Sequence, residues 1–551
     1  MSEQRVIRSW YDVDTREGFR ERGLWGDQTL AELFDGHAEA RPDKLAVADE
    51  VVRWSYAELR DLSLRIATVL VDLGVEPGDP VAAQLPSCGL LPAVHLAANR
   101  IGAILVPLSS TWRSAEVGSL LGAVKPPVLL VPGSRDPFDF QEMVEQIRPQ
   151  VPSLRHVLTV RGDKGPSSLE SRAAEAVPLS AQQARSRRPD PDGPTLAMCS
   201  SGTTGMPKAS VYGGNDLVAL LLHHFRVALE LTGEDVAAGL APANTGATGY
   251  AFPVLAPLLA GASSVMLEHW SPEAALDLIV KERCTYATAI PTQMVMMLEL
   301  PLEQADLSVF TRFNNAGAPL APATAEEIET RMGCRVQSIY GATDGGVPVM
   351  SDVAQSDHAR RTTVGRLRDG LQFKLAGADG QPVPQGTAGE ACWRGPNKSY
   401  GYLNQPEYDA LVWDAEGWFH SGDLGEFDEE GNLRIVGRTK DMILRGGTNI
   451  FPREVEELLI RHPAVARVSV VGVPDKRLGE KACAVVVAAA GQAPTLADLT
   501  EFLLGQGIAK VKLPEYLILT DHLPMNAGGK IDKGGIGQLA VERLTAQNLL
   551  N

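Results

Sequence analysis

Residues 200–208, SSGTTGMPK, set the hydroxyls of Ser200, Ser201, Thr203 and Thr204 beside Gly202, Gly205 and Lys208. Glycines let backbone N–H groups approach an anion closely, hydroxyls donate to it, and a lysine neutralises it, so the group this stretch suits is a phosphate. It is not a Walker A loop: Pro207 precedes the lysine and Ala209 follows it, leaving no hydroxyl there for a magnesium ion. Neither GxSxG nor SxxK surrounds Ser200 or Ser201, which argues against a nucleophilic serine. Taken alone, the stretch reads as a phosphate loop or as a flexible turn.

Further stretches follow in order: NAGAPL (315–320), YGATD (340–344), GWFHSGDLGEFDEEGNLRIVGRTKDMI (417–443), GGTNIFPREVE (446–456) and NAGGKIDK (526–533). With the loop, they resemble the motif series of the adenylate-forming superfamily of acyl-CoA synthetases, peptide-synthetase adenylation domains and luciferases. The match runs over nearly the whole chain. The resemblance implies an enzyme that joins ATP and a carboxylic acid into an acyl-adenylate with loss of pyrophosphate. It then transfers the acyl group to the thiol of CoA, or to phosphopantetheine on a carrier protein. A carboxylate is a poor electrophile at neutral pH, so the enzyme must neutralise charge building on the α-phosphate and pyrophosphate.

By the same resemblance, Thr203, Thr204 and Lys208 grip the β- and γ-phosphates and Thr343 the α-phosphate. Tyr340, beside Gly341, lies against adenine, with Gly317, Ala318 and Pro319 on the other side. Asp423 accepts from the ribose hydroxyls, Arg438 donates there, and Lys530 bridges the carboxylate and the α-phosphate. Lys440 matches the hinge of a mobile C-terminal domain, and Gly446 and Gly447 line the thiol tunnel. Asn244, Gly249, Gly317 and Gly341 fall at the acid pocket, and Asp344 at the Mg2+ ligand. Three positions depart from the family pattern. Asp344 stands where Glu is usual, one methylene shorter. Ala209 replaces a glycine and is expected to stiffen the loop. Asn244, near the pocket entrance, replaces an aromatic residue or histidine and gives the pocket polar capacity.

Alternatives stay open at this stage. A stand-alone aryl-acid ligase would load a carrier protein, a non-thiol nucleophile would be another acceptor, and luciferase-like oxygenation uses the same machinery. A degenerate regulator is disfavoured by the retained Lys530, Asp423 and Arg438. No GxDS site follows the small domain, so the thiol is expected from CoA or a separate carrier.

Short apolar runs alternating with helical patterns carry these motifs. PVAAQL (80–85), LLPAVHLAANRIG and AILVPL (103–108) read as strand, helix, strand, which when repeated gives an α/β fold of parallel-type sheets covered by helices. Residues 161–194 are polar and turn-rich and predict a surface connection with at most a short helix before the strand TLAMCS. Gly-punctuated short strands over about 345–437 predict a small β-barrel subdomain. Beyond Asp441, PREVEELLIRHP predicts a helix with Pro452 at its first turn, and VARVSVVGVP and KACAVVVAAA predict strands. The expected division is an adenylation core over 1–440 and a mobile α+β domain over 441–551.

Composition narrows the class. The 551 residues carry a net charge of -17, with 44% hydrophobic and 22% charged residues. Clustered Lys and Arg are absent, so a nucleic-acid partner is not expected. No apolar run approaches the ~20 residues of a membrane span. The polar N-terminus has no apolar core of a secretory signal, which makes the cytoplasm the expected compartment, with the protein a monomer or homodimer. Cys88, Cys199, Cys284, Cys334, Cys392 and Cys483 show no CxxC spacing and are expected to be buried reduced thiols.

Overall fold

The computed structural model describes residues 11–133, 138–162, 164–200, 206–244, 246–445, 448–525 and 531–550. The chain divides into two compact units, one of residues 1–373 and 393–419, the other of residues 374–392 and 420–551. Among the described residues, no helix is long and apolar enough to cross a membrane.

Two large sheets build the first unit. One has six strands, in the order His156–Val160, Val128–Pro132, Pro80–Ala83, Ile104–Pro107, Pro194–Ser200 and Lys208–Gly213. All neighbours are parallel except the last pair. The other sheet has nine strands, with a parallel centre and antiparallel edges. Strands such as Ile104–Pro107 and Val128–Pro132 are buried at every residue, as a sheet covered on both faces requires. The strand–helix–strand reading of residues 80–108 is borne out, and its helix, Leu90–Arg100, is buried all round. A shared core gathers Val81 and Leu105 of the first sheet with Ala237, Tyr286 and Ile339 of the second. Residues 161–194 hold two helices rather than at most one. Ser168 caps Leu169–Glu175 and Ser180 caps Ala181–Arg187, each accepting from an N–H three residues on.

The second unit contains most of a four-stranded sheet ordered Gln372–Ala376, Gly389–Arg394, Phe419–Phe427 and Leu433–Arg438. It also holds a sheet built on the long hairpin Val465–Asp475 and Gly479–Ala488. Helices Pro452–Leu459 and Leu496–Gly505 pack on one face of that hairpin through Val455, Leu459 and Leu499, against Val470 and Ala484. Lys533–Ala546 covers the other face through Ile536 and Ala540, against Val471 and Val485. This is the α+β texture predicted for the C-terminal part, with Pro452 in the first helical turn.

Candidate active site

The phosphate stretch begins at the end of one strand and finishes at the start of the next. Ser200 closes Pro194–Ser200, Lys208 opens Lys208–Gly213, and the two pair directly across the antiparallel ladder. Ser201, Gly202, Thr203, Thr204 and Gly205 lie outside the described residues. Lys208 is buried, with Nζ 3.9 Å from the ring centroid of Tyr408 and 5.3 Å from that of Tyr402. Burial lowers its pKa, while the charges of Asp344 and Glu407 act the other way. Ala209 is a strand residue, not a loop residue. Its side chain sits in an apolar cluster with Cys199, Tyr400 and Leu403, which replaces the expectation that it stiffens the loop.

Strand Arg335–Ala342 runs into a tight turn and returns as Gly346–Met350. The turn needs glycine at both ends. A Cβ on Gly341 would stand 2.2 Å from the Gly346 carbonyl oxygen, and Gly346, at φ +82, would place one 2.2 Å from that of Asn397. Three side chains fix the turn's successive carbonyls. Tyr212 donates to Thr343 O at 2.8 Å, Ser399 Oγ to Asp344 O at 2.6 Å, and Trp393 Nε1 to Gly345 O at 2.7 Å. Tyr402 donates its hydroxyl to Asp344 Oδ2. Burial first, and the Asp344 charge second, raise the Tyr402 phenol, so it remains a protonated donor. Thr343 and Asp344 are half-buried and present the hard oxygen ligands that magnesium takes.

Tyr340 follows Ile339, which pairs with Ala316 on the neighbouring parallel strand. Tyr340 and the turn of Gly317, Ala318 and Pro319 therefore sit at adjacent carboxyl ends, the place where open α/β sheets bind ligands. Gly317 has φ +83, and Asn315 Nδ2 donates to Ala318 O at 3.1 Å to close the turn. The Tyr340 ring lies edge-on to Trp393 with centroids 5.9 Å apart. Asn244 is buried, its Nδ2 donating to Leu85 O at 2.7 Å while Oδ1 has no partner among the described residues. Gly249 is buried in the wide helix Ala247–Leu255. At its head Gly246, φ +73, lies against Thr343 and the Cys199 carbonyl, where an added Cβ would stand 3.7 Å and 3.8 Å away. The first unit thus brings Gly246, the YGATD turn and the end of strand Pro194–Ser200 together.

In the second unit, Asp423 and Arg438 face each other across an antiparallel ladder, Arg438 Nε donating to Asp423 Oδ1 at 2.6 Å. The turn before Asp423 is tied down by Gly422 N donating to Glu390 Oε1 at 2.9 Å and Ser421 Oγ to Ala391 O at 2.7 Å. His420 Nδ1 stands 3.2 Å from Glu390 and 3.4 Å from Cys392 Sγ, a neighbourhood that no sequence spacing reveals. All six cysteines are free and buried as expected, and burial pushes the Cys88 thiol up to about 12. Lys440 is exposed in the turn Thr439–Asp441. Gly446, Gly447 and Lys530 lie outside the described residues.

Sequence reasoning missed Tyr402, Tyr408, Tyr212 and Ser399. The one local signal for two of them was the aromatic density of YGYLNQPEY, residues 400–408.

Comparison with known proteins identifies an ATP-dependent adenylate-forming enzyme. The chain belongs to the family described as AMP-binding enzyme, whose model matches residues 34–403, and the model of that family's C-terminal domain matches residues 454–530. It is 33% identical to a medium-chain fatty-acid–CoA ligase of Escherichia coli, over 97% of this chain and 94% of that one. It is 32% identical to a salicyl-AMP ligase / salicyl-S-ArCP synthetase of Mycobacterium tuberculosis, over 96% and 93%. The crystal structure of ATP-bound MatB from Rhodopseudomonas palustris superposes with a TM-score of 0.83 at 28% identity, covering 93% of this chain and 99% of that one.

Proposed function

We propose that this ligase condenses ATP with a carboxylic acid to an acyl-adenylate, releasing pyrophosphate, and passes the acyl group to the thiol of CoA, leaving AMP. The observation that carries the reading is the fixed Thr343–Asp344 turn, whose carboxylate is held by Tyr402 while Tyr402 and Tyr408 cradle Lys208. Lys208, with Thr203 and Thr204, neutralises the pyrophosphate that leaves, assisted by Ser200, Ser201, Gly202 and Gly205 of the same loop. Thr343 donates to the α-phosphate, and Asp344 holds Mg2+, which supplies charge neutralisation at the phosphates.

Tyr340 and Gly341 face adenine, with Gly317, Ala318 and Pro319 opposite. Asp423 accepts from the ribose hydroxyls, and Arg438, donating to Asp423 Oδ1, holds the carboxylate in place. Lys530 bridges the attacking carboxylate and the α-phosphate. A swing of the C-terminal domain about Lys440 then exchanges Lys530 for Gly446 and Gly447, which line the path of the thiol. Asn244 and Gly249 border the acid.

A carrier-loading reading is favoured by one observation, the likeness to the salicyl-AMP ligase / salicyl-S-ArCP synthetase. Both readings are tested by incubating the protein with ATP, MgCl2 and single acids from a broad panel, with and without CoA, and measuring AMP and pyrophosphate. Acid-dependent AMP and pyrophosphate, accelerated by CoA, is the expected result. Acceleration only by a phosphopantetheinylated carrier protein would select the second reading, and no pyrophosphate with any acid would overturn both.

A further inference from the structure

Three side chains with different metal-ligating atoms meet on the four-stranded sheet of the second unit. Glu390 and Cys392 stand two residues apart on the strand Gly389–Arg394, so they point to the same face. His420 lies on the neighbouring strand Phe419–Phe427. One ligand atom from each falls within 4.8 Å of the other two, and His420 Nδ1 is 3.2 Å from Glu390 Oε2 and 3.4 Å from Cys392 Sγ. Among the described residues this is the one group of three or more His, Cys, Asp or Glu side chains gathered so closely.

The geometry separates two uses of such a group. A nucleophilic cysteine needs a histidine that takes the thiol proton on one ring nitrogen and is oriented through the other. Here the thiol and the carboxylate both meet Nδ1, so no relay runs through the ring. One nitrogen carries at most one proton and serves one neighbour well, whereas a cation between the three atoms would serve them all. The spacing is that of a tetrahedral zinc shell. Bonds of about 2.3 Å to sulfur and about 2.0–2.1 Å to nitrogen and oxygen put nitrogen about 3.5 Å from sulfur and about 3.4 Å from oxygen. Thiolate, imidazole and carboxylate together select a borderline-soft ion such as Zn2+ over Mg2+, which takes oxygen ligands. Cys392 is fully buried, while the side chains of Glu390 and His420 are 27% and 30% exposed, so an ion has a way in and a water would complete the shell.

We propose that Glu390, Cys392 and His420 bind one Zn2+ ion, at a site separate from the Mg2+ assigned to Asp344. The other carboxylate oxygen of Glu390, Oε1, accepts from Gly422 N at 2.9 Å. Ser421 Oγ, which donates to Ala391 O, accepts from Asp423 N at 3.0 Å. An ion at the cluster therefore bears, through one carboxylate, on the turn that presents Asp423. The site itself needs nothing from the adenylating reading above.

The test uses the full-length protein, stripped of metal with a chelator, kept reduced, and titrated with Co2+ and then Zn2+ in the absence of nucleotide. One equivalent of Co2+ is expected to give a thiolate-to-cobalt charge-transfer band with the visible bands of a tetrahedral centre, and Zn2+ to abolish both by displacement. Zn2+ should also raise the thermal midpoint, because it binds the folded state. Cys392→Ser should remove the charge-transfer band. Glu390→Gln keeps an oxygen for Gly422 N but loses the ligating anion, so its metal-free thermal midpoint should be preserved. Its Zn2+ affinity, in competition with a chromophoric chelator, should fall by about tenfold or more, since even a partner one bond further from a metal is worth that much. A wild-type protein without the charge-transfer band, a band that survives Cys392→Ser, or a Zn2+ affinity untouched by Glu390→Gln overturns the assignment.

Discussion

Asp344 reaches less far than the glutamate usual at its position, and Tyr402 meets it with a hydroxyl from 58 residues along the chain. That contact takes Asp344 Oδ2 and leaves Oδ1 as the atom that would hold Mg2+ in the proposed reading. Removing an outer hydrogen bond of this kind typically weakens metal binding 10- to 100-fold. Tyr402→Phe is therefore expected to raise the Mg2+ concentration for half-maximal pyrophosphate exchange roughly tenfold. Weaker binding of Mn2+ to the protein–ATP complex, followed by electron paramagnetic resonance, should accompany it. An unchanged Mg2+ dependence would show that Tyr402 serves packing alone. At this scale the sequence is informative wherever chemistry is local: SSGTTGMPK and YGATD carry their own glycines, hydroxyls and charges. For Tyr402 and Tyr408 it offers only the aromatic density of residues 400–408, because tertiary folding alone brings them to Lys208 and Asp344. Ala209 misled for a related reason, since its neighbours in space, not in sequence, make it a core residue.

The helix Leu90–Arg100 has no solvent face, and its one imidazole is satisfied inside. His95 Nδ1 lies 3.0 Å from the Tyr250 hydroxyl and Nε2 3.3 Å from Thr195 Oγ1, and burial pushes its pKa down to about 4. His224, with Nε2 2.9 Å from Asp369 O and Nδ1 3.2 Å from Asn397 Nδ2, is likewise lowered by burial to about 4. An unfolded histidine takes up its proton near pH 6.5, whereas these stay neutral in the fold down to about pH 4. Their stabilisation is complete above the unfolded value and is lost as pH falls through that window, by at most roughly 3 kcal/mol for each. Thermal midpoints should hold near pH 7, decline between 6.5 and 4, and decline less steeply in His224→Gln. A midpoint independent of pH across that window would contradict the buried-neutral assignment. The strand–helix–strand alternation that builds this region was legible from apolar runs of the right length. The two helices within residues 161–194 were hidden by polar composition, although SSLES and SAQQ already carried their serine caps.

At the scale of the whole molecule, the proposed function assigns part of the chemistry to each unit. The first holds the strands Pro194–Ser200 and Lys208–Gly213 and the YGATD turn. The second holds the Asp423–Arg438 pair and the hairpin Val465–Asp475 and Gly479–Ala488. The reaction this division serves is acyl activation through AMP, and it leaves an atomic signature. When a carboxylate oxygen attacks the α-phosphorus, that oxygen stays with AMP after the thiol displaces it from the acyl carbon. The most direct measurement uses an accepted acid labelled with 18O in its carboxylate, together with ATP, Mg2+ and the thiol acceptor, and mass spectrometry of the products. One 18O atom in each AMP formed, with unlabelled pyrophosphate, is the predicted result. Label in inorganic phosphate with ADP as the nucleotide product, or AMP without label, would contradict the account.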